Sequence, residues 1–103
     1  MILLNFGHPL TTVQLDQVEK LADCQISQVI SIPVQIDFSK PIYPQVELLL
    51  NKAGVAPQTE PCLVNLPSHY LISAYLLASL HGLWGQFPAV LQFKPIGKHS
   101  SKI

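Results

Sequence analysis

Two short segments of this chain each place an amide and an imidazole at the end of an apolar run. Ile2-Leu3-Leu4-Asn5-Phe6-Gly7-His8-Pro9 stops at Asn-x-Gly-His, and Cys62-Leu63-Val64-Asn65-Leu66-Pro67-Ser68-His69 stops at Asn-x-Pro-Ser-His. Imidazole gives and takes protons near neutral pH. Gly7 can adopt a positive φ and lets a ligand approach the backbone. Ser68, with the free N–H groups of a helix start, makes an anion-binding end. Each turn also has an ordinary reading: His8 as a surface-loop histidine between turn residues, Ser68 as a common N-cap. Two such turns at neighbouring strand ends say more than either alone.

The elements that must position these residues alternate along the chain. Ile2–Phe6 is apolar except for Asn5, as in a strand buried on both faces. Thr11 is an N-cap with Gln14 three residues on, a capping box. Leu15, Val18, Leu21 and Ala22 form a helical stripe, with Asp16, Gln17, Glu19 and Lys20 facing water. Gln28–Ile32 is the next strand, ended by Pro33. Val34, Ile36 and Phe38 alternate through an irregular segment. Pro44 suits the first turn of a helix that buries Val46, Leu49, Leu50 and Ala53 and stops at Gly54. Val55–Pro61 is a loop, Cys62–Leu66 a second apolar strand, and Ser68 caps a helix from about His69 to His81. Ala89–Phe93 is the last strand, and residues 94–103 read as a polar, mobile tail.

The order β-α-β-α-β-α-β predicts a single α/β domain over residues 1–103, with an open parallel sheet and right-handed crossovers. The two apolar strands belong in the centre and the Pro-marked strands at the edges, giving strand order 2-1-3-4. The switch point then falls between strands 1 and 3, where open sheets bind ligands beyond the carboxyl ends of their strands. Asn5, His8, Asn65, Ser68 and His69 would share that crevice.

Composition adds constraints. Apolar residues make up 49% of the 103 and charged residues 12%, about half the usual charged share. The helix before Trp84 is apolar nearly all round. A domain this small cannot hide that much apolar surface alone, so a two-fold dimer is expected. Net charge is zero and all six basic residues are Lys, which argues against a DNA-binding surface held by a basic field. Cys24 and Cys62 fit no zinc spacing, and Cys62 reads as a small core hydrophobe. No basic region precedes a long apolar stretch at the start, and the apolar run from Tyr70 to Trp84 is short for a membrane span. The expectation is a soluble cytoplasmic protein without a membrane partner.

Several signatures are missing: a GxGxxG fingerprint, a phosphate loop ending in Gly-Lys-Ser/Thr, a GxSxG elbow, and any metal-spaced set of His, Cys and carboxylates. No acidic residue adjoins either His turn, so a Ser-His-Asp triad has little support. Only Asp37 lies near the expected sheet top. No cofactor and no metal are expected.

Leu-Asn-Phe-Gly-His-Pro-Leu-Thr at the start, Pro-Val-Gln-Ile-Asp in the middle, and Val-Asn-Leu-Pro-Ser, Leu-His-Gly and Phe-Pro-Ala-Val further on carry a resemblance. From about Ile2 to Pro95 the chain resembles the small stand-alone, ring-nuclease-like CRISPR-associated proteins of type III systems, which are similar in shape to Rossmann-like cyclic-oligoadenylate sensors. The resemblance implies a homodimer that binds a cyclic oligoadenylate, cyclic tetra-adenylate first, across its two-fold axis. It implies antiviral defence, with the signal ended by cutting or by sequestering the messenger. For cutting, a metal-independent route suits these residues: a ribose 2′-OH attacks the adjacent phosphate. His8 and His69 would do the acid–base work. Ser68, in the same turn as Pro67, would hold phosphate together with backbone N–H groups near Gly7, and Asn5, Asn65 and Gln35 would bind adenine or ribose. Two other readings stay open: a non-catalytic sponge for the same ligand, and a dimeric interaction module with no nucleotide.

Overall fold

A computed structural model describes residues 1–54, 61–92, 94–96 and 100–102, with side chains for 1–54 and 61–92. Four parallel strands form the sheet: β1 (Ile2–Asn5), β2 (Gln28–Ser31), β3 (Cys62–Asn65) and β4 (Ala89–Val90). Their order is β2-β1-β3-β4, as the sequence predicts. In register, Asn5 stands beside Ser31 on one side and Asn65 on the other. The helices are α1 (Thr12–Ala22), α2 (Ile42–Lys52) and α3 (Tyr70–Trp84).

The order of strands distributes the helices. A right-handed crossover from β1 to β2 runs one way across the sheet, and those from β2 to β3 and β3 to β4 run the other way. So α1 covers one face alone, and α2 and α3 share the opposite one. The shared face is the main core: Ile2, Leu4 and Phe6 pack with Ile32, Val46, Leu49, Leu50, Val64, Ile72, Leu76 and Leu80. Val34, Ile36 and Tyr75 lean on it. Strand side chains alternate, so Leu3 and Asn5 face the other way. Leu3 and Val18 of α1 are fully buried outside that cluster.

Local rules explain the helix ends. Thr11 and Gln14 form the expected capping box. Pro44 stands in the first turn of α2, and Gly54 follows its end at φ +63. Three expectations change. The stripe on α1 shrinks to Val18 buried and Leu15 half-buried, with Leu21 67% exposed and Ala22 exposed. An eleven-residue helix is about 16 Å long, but a four-residue strand only about 13 Å, so the last turn overruns the sheet. Strand β4 is only two residues long and stops at Val90, with Phe93 outside the described residues. Where a polar tail is expected, β5 (Lys94–Ile96) and β6 (Ser100–Lys102) pair antiparallel. Most of the Val55–Pro61 loop, together with Lys98 and His99, lies outside the described residues.

Candidate functional site

The carboxyl ends of β1 and β3 are locked together by two buried amides. The Asn5 Oδ1 accepts from the Gly7 N–H at 2.9 Å, and the Asn5 Nδ2 donates to the His8 carbonyl at 3.0 Å. A backbone donor and a backbone acceptor thus fix which way the Asn5 amide faces. The Asn65 Nδ2 then has one possible role toward it, and donates to the Asn5 Oδ1 at 2.9 Å. The ladder continues past the strand ends, with the Phe6 N–H bonded to the Asn65 carbonyl and the Ile32 N–H to the Asn5 carbonyl, each at 2.9 Å. Asn5 and Asn65 are the buried polar side chains of the described core. Both polar atoms of the Asn5 side chain have partners inside the protein, so Asn5 shapes the turn.

Gly7 is needed for a reason other than the expected one. Its φ is not in the left-handed region, unlike those of Gly54 and Gly85. A Cβ there would stand 2.9 Å from the Asn65 Nδ2 and 3.0 Å from the Leu66 carbonyl oxygen. Gly7 lets the two turns touch.

Beside this lock lies a crevice of about 290 Å³, lined by Gly7, His8, Pro9, Leu10, Gln14, Asn65, Leu66 and Ser68. His8 and Ser68 are exposed on its walls. Gln14 reaches it as part of the capping box, with its Oε1 accepting from the Thr11 N–H at 3.0 Å. Leu10 and Gln14 are lining residues that sequence reasoning missed. The signal was present in Thr11 and Gln14, since a helix that starts right after the first turn brings its first residues back to that turn.

Three expected site residues are placed elsewhere. The cap of α3 is His69, not Ser68: its Nδ1 accepts from the Leu71 N–H at 3.3 Å. The Ser73 hydroxyl holds the Pro67 carbonyl at 2.9 Å, which commits Pro67 to the turn's structure. With Nδ1 accepting, the neutral His69 ring carries its proton on Nε2. That ring lies against Phe38 and Tyr70, outside the crevice lining, so His8 and His69 do not converge. Gln35 lines a separate hollow with Ile30, Ser31, Ile32, Pro33, Leu49 and Lys52. It follows the sheet edge at β2, one strand removed from the switch point.

Asp37 has its carboxyl held below the usual range by the Ser39 hydroxyl, at 2.6 Å, and by the Ser39 N–H, at 2.9 Å. It is absent from the crevice walls. A larger hollow, about 630 Å³, lies between α2 and α3 and is lined by Tyr43, Glu47, Tyr75 and Ser79 among others. The Tyr43 hydroxyl is pushed up in pKa by its hydrogen bond to Glu47. The Ser79 Oγ there is buried without a partner among the described residues. Neither feature adjoins the strand ends. Among the described residues no group of three His, Cys, Asp or Glu is placed to hold a metal ion, and no helix is long and apolar enough to cross a membrane.

Fold and crevice together define a small α/β domain with a cleft at the switch point of a parallel sheet. No protein-family model, no curated protein and no solved structure matches the chain.

Proposed function

We propose that the protein binds a cyclic oligoadenylate, with cyclic tetra-adenylate the first ligand to test. The observation that carries the reading is the crevice at the adjoining ends of β1 and β3, where an open parallel sheet takes its ligand. Its walls offer a phosphodiester two exposed side chains, the Ser68 hydroxyl and the His8 imidazole, without Arg. A volume of about 290 Å³ lies at the bottom of the range for small-molecule sites. It holds about one nucleotide. A cyclic ligand with two-fold symmetry would then engage two such crevices, which is the role of the homodimer in this reading. The choice of cyclic oligoadenylate itself rests on the resemblance of the Leu-Asn-Phe-Gly-His-Pro and Val-Asn-Leu-Pro-Ser segments to the type III ring-nuclease-like proteins.

In the cleaving form of the proposal, a ribose 2′-OH attacks the adjacent phosphorus and the 5′-oxygen leaves. The products are a 2′,3′-cyclic phosphate end and a 5′-hydroxyl end. One proton must leave the 2′-OH and one must reach the 5′-oxygen. His8 is the crevice side chain suited to move either. A second reading, sequestration without cleavage, is favoured by one specific observation. His69, the partner that two-proton chemistry calls for, is committed to a cap and a ring stack outside the crevice lining.

Incubation with cyclic tetra-adenylate in excess EDTA, followed by chromatography of bound and free fractions, tests both. Linear products with cyclic phosphate ends that disappear in His8→Ala support cleavage. Tight retention of intact ligand supports sequestration. No binding and no thermal stabilisation by the ligand would sink the reading and leave a nucleotide-free interaction module.

A further inference from the structure

Three aromatic rings sit together just beyond the crevice. The His69 ring centroid is 4.9 Å from that of Phe38 and 5.4 Å from that of Tyr70, the latter pair within 9° of parallel. Phe38 is 56% exposed and Tyr70 80% exposed. Large rings left this open to water have much apolar face to gain by covering. Ser68, on the crevice wall, is the residue next to His69, so consecutive residues link the crevice to the aromatic cluster.

The cluster is held in place from two sides. The His69 ring is fixed by its cap on the Leu71 N–H. Phe38 lies in the connection between β2 and α2, and its neighbours are clamped. The Gln45 Oε1 accepts from the Asp37 N–H at 2.8 Å, while its Nε2 donates to the Asp37 and Pro41 carbonyls, both at 2.9 Å. The Asp37 carboxylate accepts from both the N–H and the hydroxyl of Ser39. The backbone on each side of Phe38 is therefore tied down in a segment without helix or strand. Little ordering remains to be done when something binds.

The geometry points to a stacking platform for a purine base, formed by Phe38, His69 and Tyr70. A nucleotide with its phosphate in the crevice sets its base on the exposed ring faces. Single-stranded nucleic acids are commonly held this way, bases on aromatic side chains and backbone in a polar groove. Three rings bordered by Ser39, Asp37 and Ser68 match one or two bases, and are too small a patch for a stable protein interface. The inference rests on the nucleotide reading above and gives His69 a stacking role where the sequence suggests proton transfer.

The test follows the ring protons of Tyr70 and Phe38 by NMR during titration with adenosine 5′-monophosphate, ribose 5-phosphate and cyclic tetra-adenylate. Upfield shifts with the two adenine ligands and none with ribose 5-phosphate are expected. Tyr70→Ala and Phe38→Ala, both at exposed positions, should each weaken cyclic tetra-adenylate binding about tenfold or more. If cyclic tetra-adenylate binds without shifting these rings and both variants bind it as tightly, the platform is overturned and the nucleotide reading stands. If cyclic tetra-adenylate does not bind but adenosine 5′-monophosphate shifts both rings, the platform stands and that reading falls. No binding of either adenine ligand overturns both.

Discussion

The turn after β1 and the turn after β3 are spelled almost alike, yet they divide the work differently. In the first, the amide is consumed: Asn5 holds the Gly7 N–H, the His8 carbonyl and the Asn65 amide. The imidazole is left on the crevice wall. In the second, the amide leans on the first turn and the imidazole is consumed, with His69 capping α3. Ser68 is the group left on the wall. The first turn commits its amide and leaves its imidazole accessible, whereas the second commits both its amide and its imidazole and leaves Ser68 exposed instead. A shared Asn-to-His pattern therefore does not imply a shared role.

The largest effect that tests this asymmetry is at the amides. Asn5→Ala strands a backbone donor, a backbone acceptor and the Asn65 amide, whereas Asn65→Ala removes only one of the two donors to the Asn5 Oδ1. Buried unsatisfied groups cost about 1–3 kcal/mol each, reduced where water reaches them. Asn5→Ala should cost about 3 kcal/mol and Asn65→Ala about 1 kcal/mol. Thermal unfolding separates the two, since each kcal/mol moves Tm by about 4–8 °C in a domain this size. Equal losses would mean that the lock is symmetric and the comparison wrong.

Gly7→Ala comes next. The new Cβ meets the Asn65 Nδ2 at 2.9 Å and the Leu66 carbonyl at 3.0 Å. The first atom is short-tethered and hydrogen-bonded, and the second is backbone, so neither yields easily. A cost of about 1–3 kcal/mol is expected. In an Asn65→Ala background one of the two close contacts is gone, and the cost should fall. Denaturant unfolding of the four proteins in this double-mutant cycle measures the coupling. Strictly additive losses would show that the turns do not press on each other there.

How much of this was legible beforehand depended on whether a residue's role is set locally. Pro33 ending an edge strand, the Thr11–Gln14 box and Gly54 after α2 are decided within a few residues, and they read correctly, as did the strand order. The misread positions depend on contacts from far away. Gly7 has a chain-neighbour reading, a flexible turn, but its constraint comes from residues about sixty positions on. Either Ser68 or His69 has the chemistry to cap a helix, and the choice falls on His69, with the preceding turn pinned through the Pro67 carbonyl by Ser73. Gln35 is placed at the ligand by the resemblance alone, and it sits past the β2 edge in a separate hollow. Gln45 attracted no notice, because a glutamine that clamps a loop looks like any helix-surface glutamine.

The two histidines give the third contrast. His69→Ala removes the α3 cap and should cost about 1 kcal/mol. His8→Ala alters an exposed side chain and should stay within about 0.5 kcal/mol of the parent. Function should reverse the order: His8→Ala stops cleavage where cleavage occurs, and His69→Ala weakens base binding. A variant pair in which the same histidine dominates both stability and turnover would collapse the distinction between the turns.

The smallest effect concerns what supports the second turn from outside. The Asp37 carboxyl is kept below its ordinary pKa first by the Ser39 hydroxyl and then by the Ser39 N–H. A depressed folded-state pKa means the ionised form is favoured by folding. That contribution is fully present above the ordinary carboxylate pKa and is lost as pH falls through the folded value. Ser39→Ala removes the larger of the two bonds and leaves the backbone one. The Asp37 pKa, read from its side-chain carbonyl shift in an NMR titration, should rise part of the way toward normal and not beyond it. Because Phe38 lies between these two residues, its ring protons should report acidification through the same pH window, and in Ser39→Ala that window should move upward with the Asp37 titration. If the Phe38 ring shows no change across it while Asp37 titrates, the Asp37–Ser39 turn does not hold Phe38 against His69. The placement of Phe38 would then rest on the Gln45 clamp, and the second turn would depend on α2 alone for its aromatic neighbour.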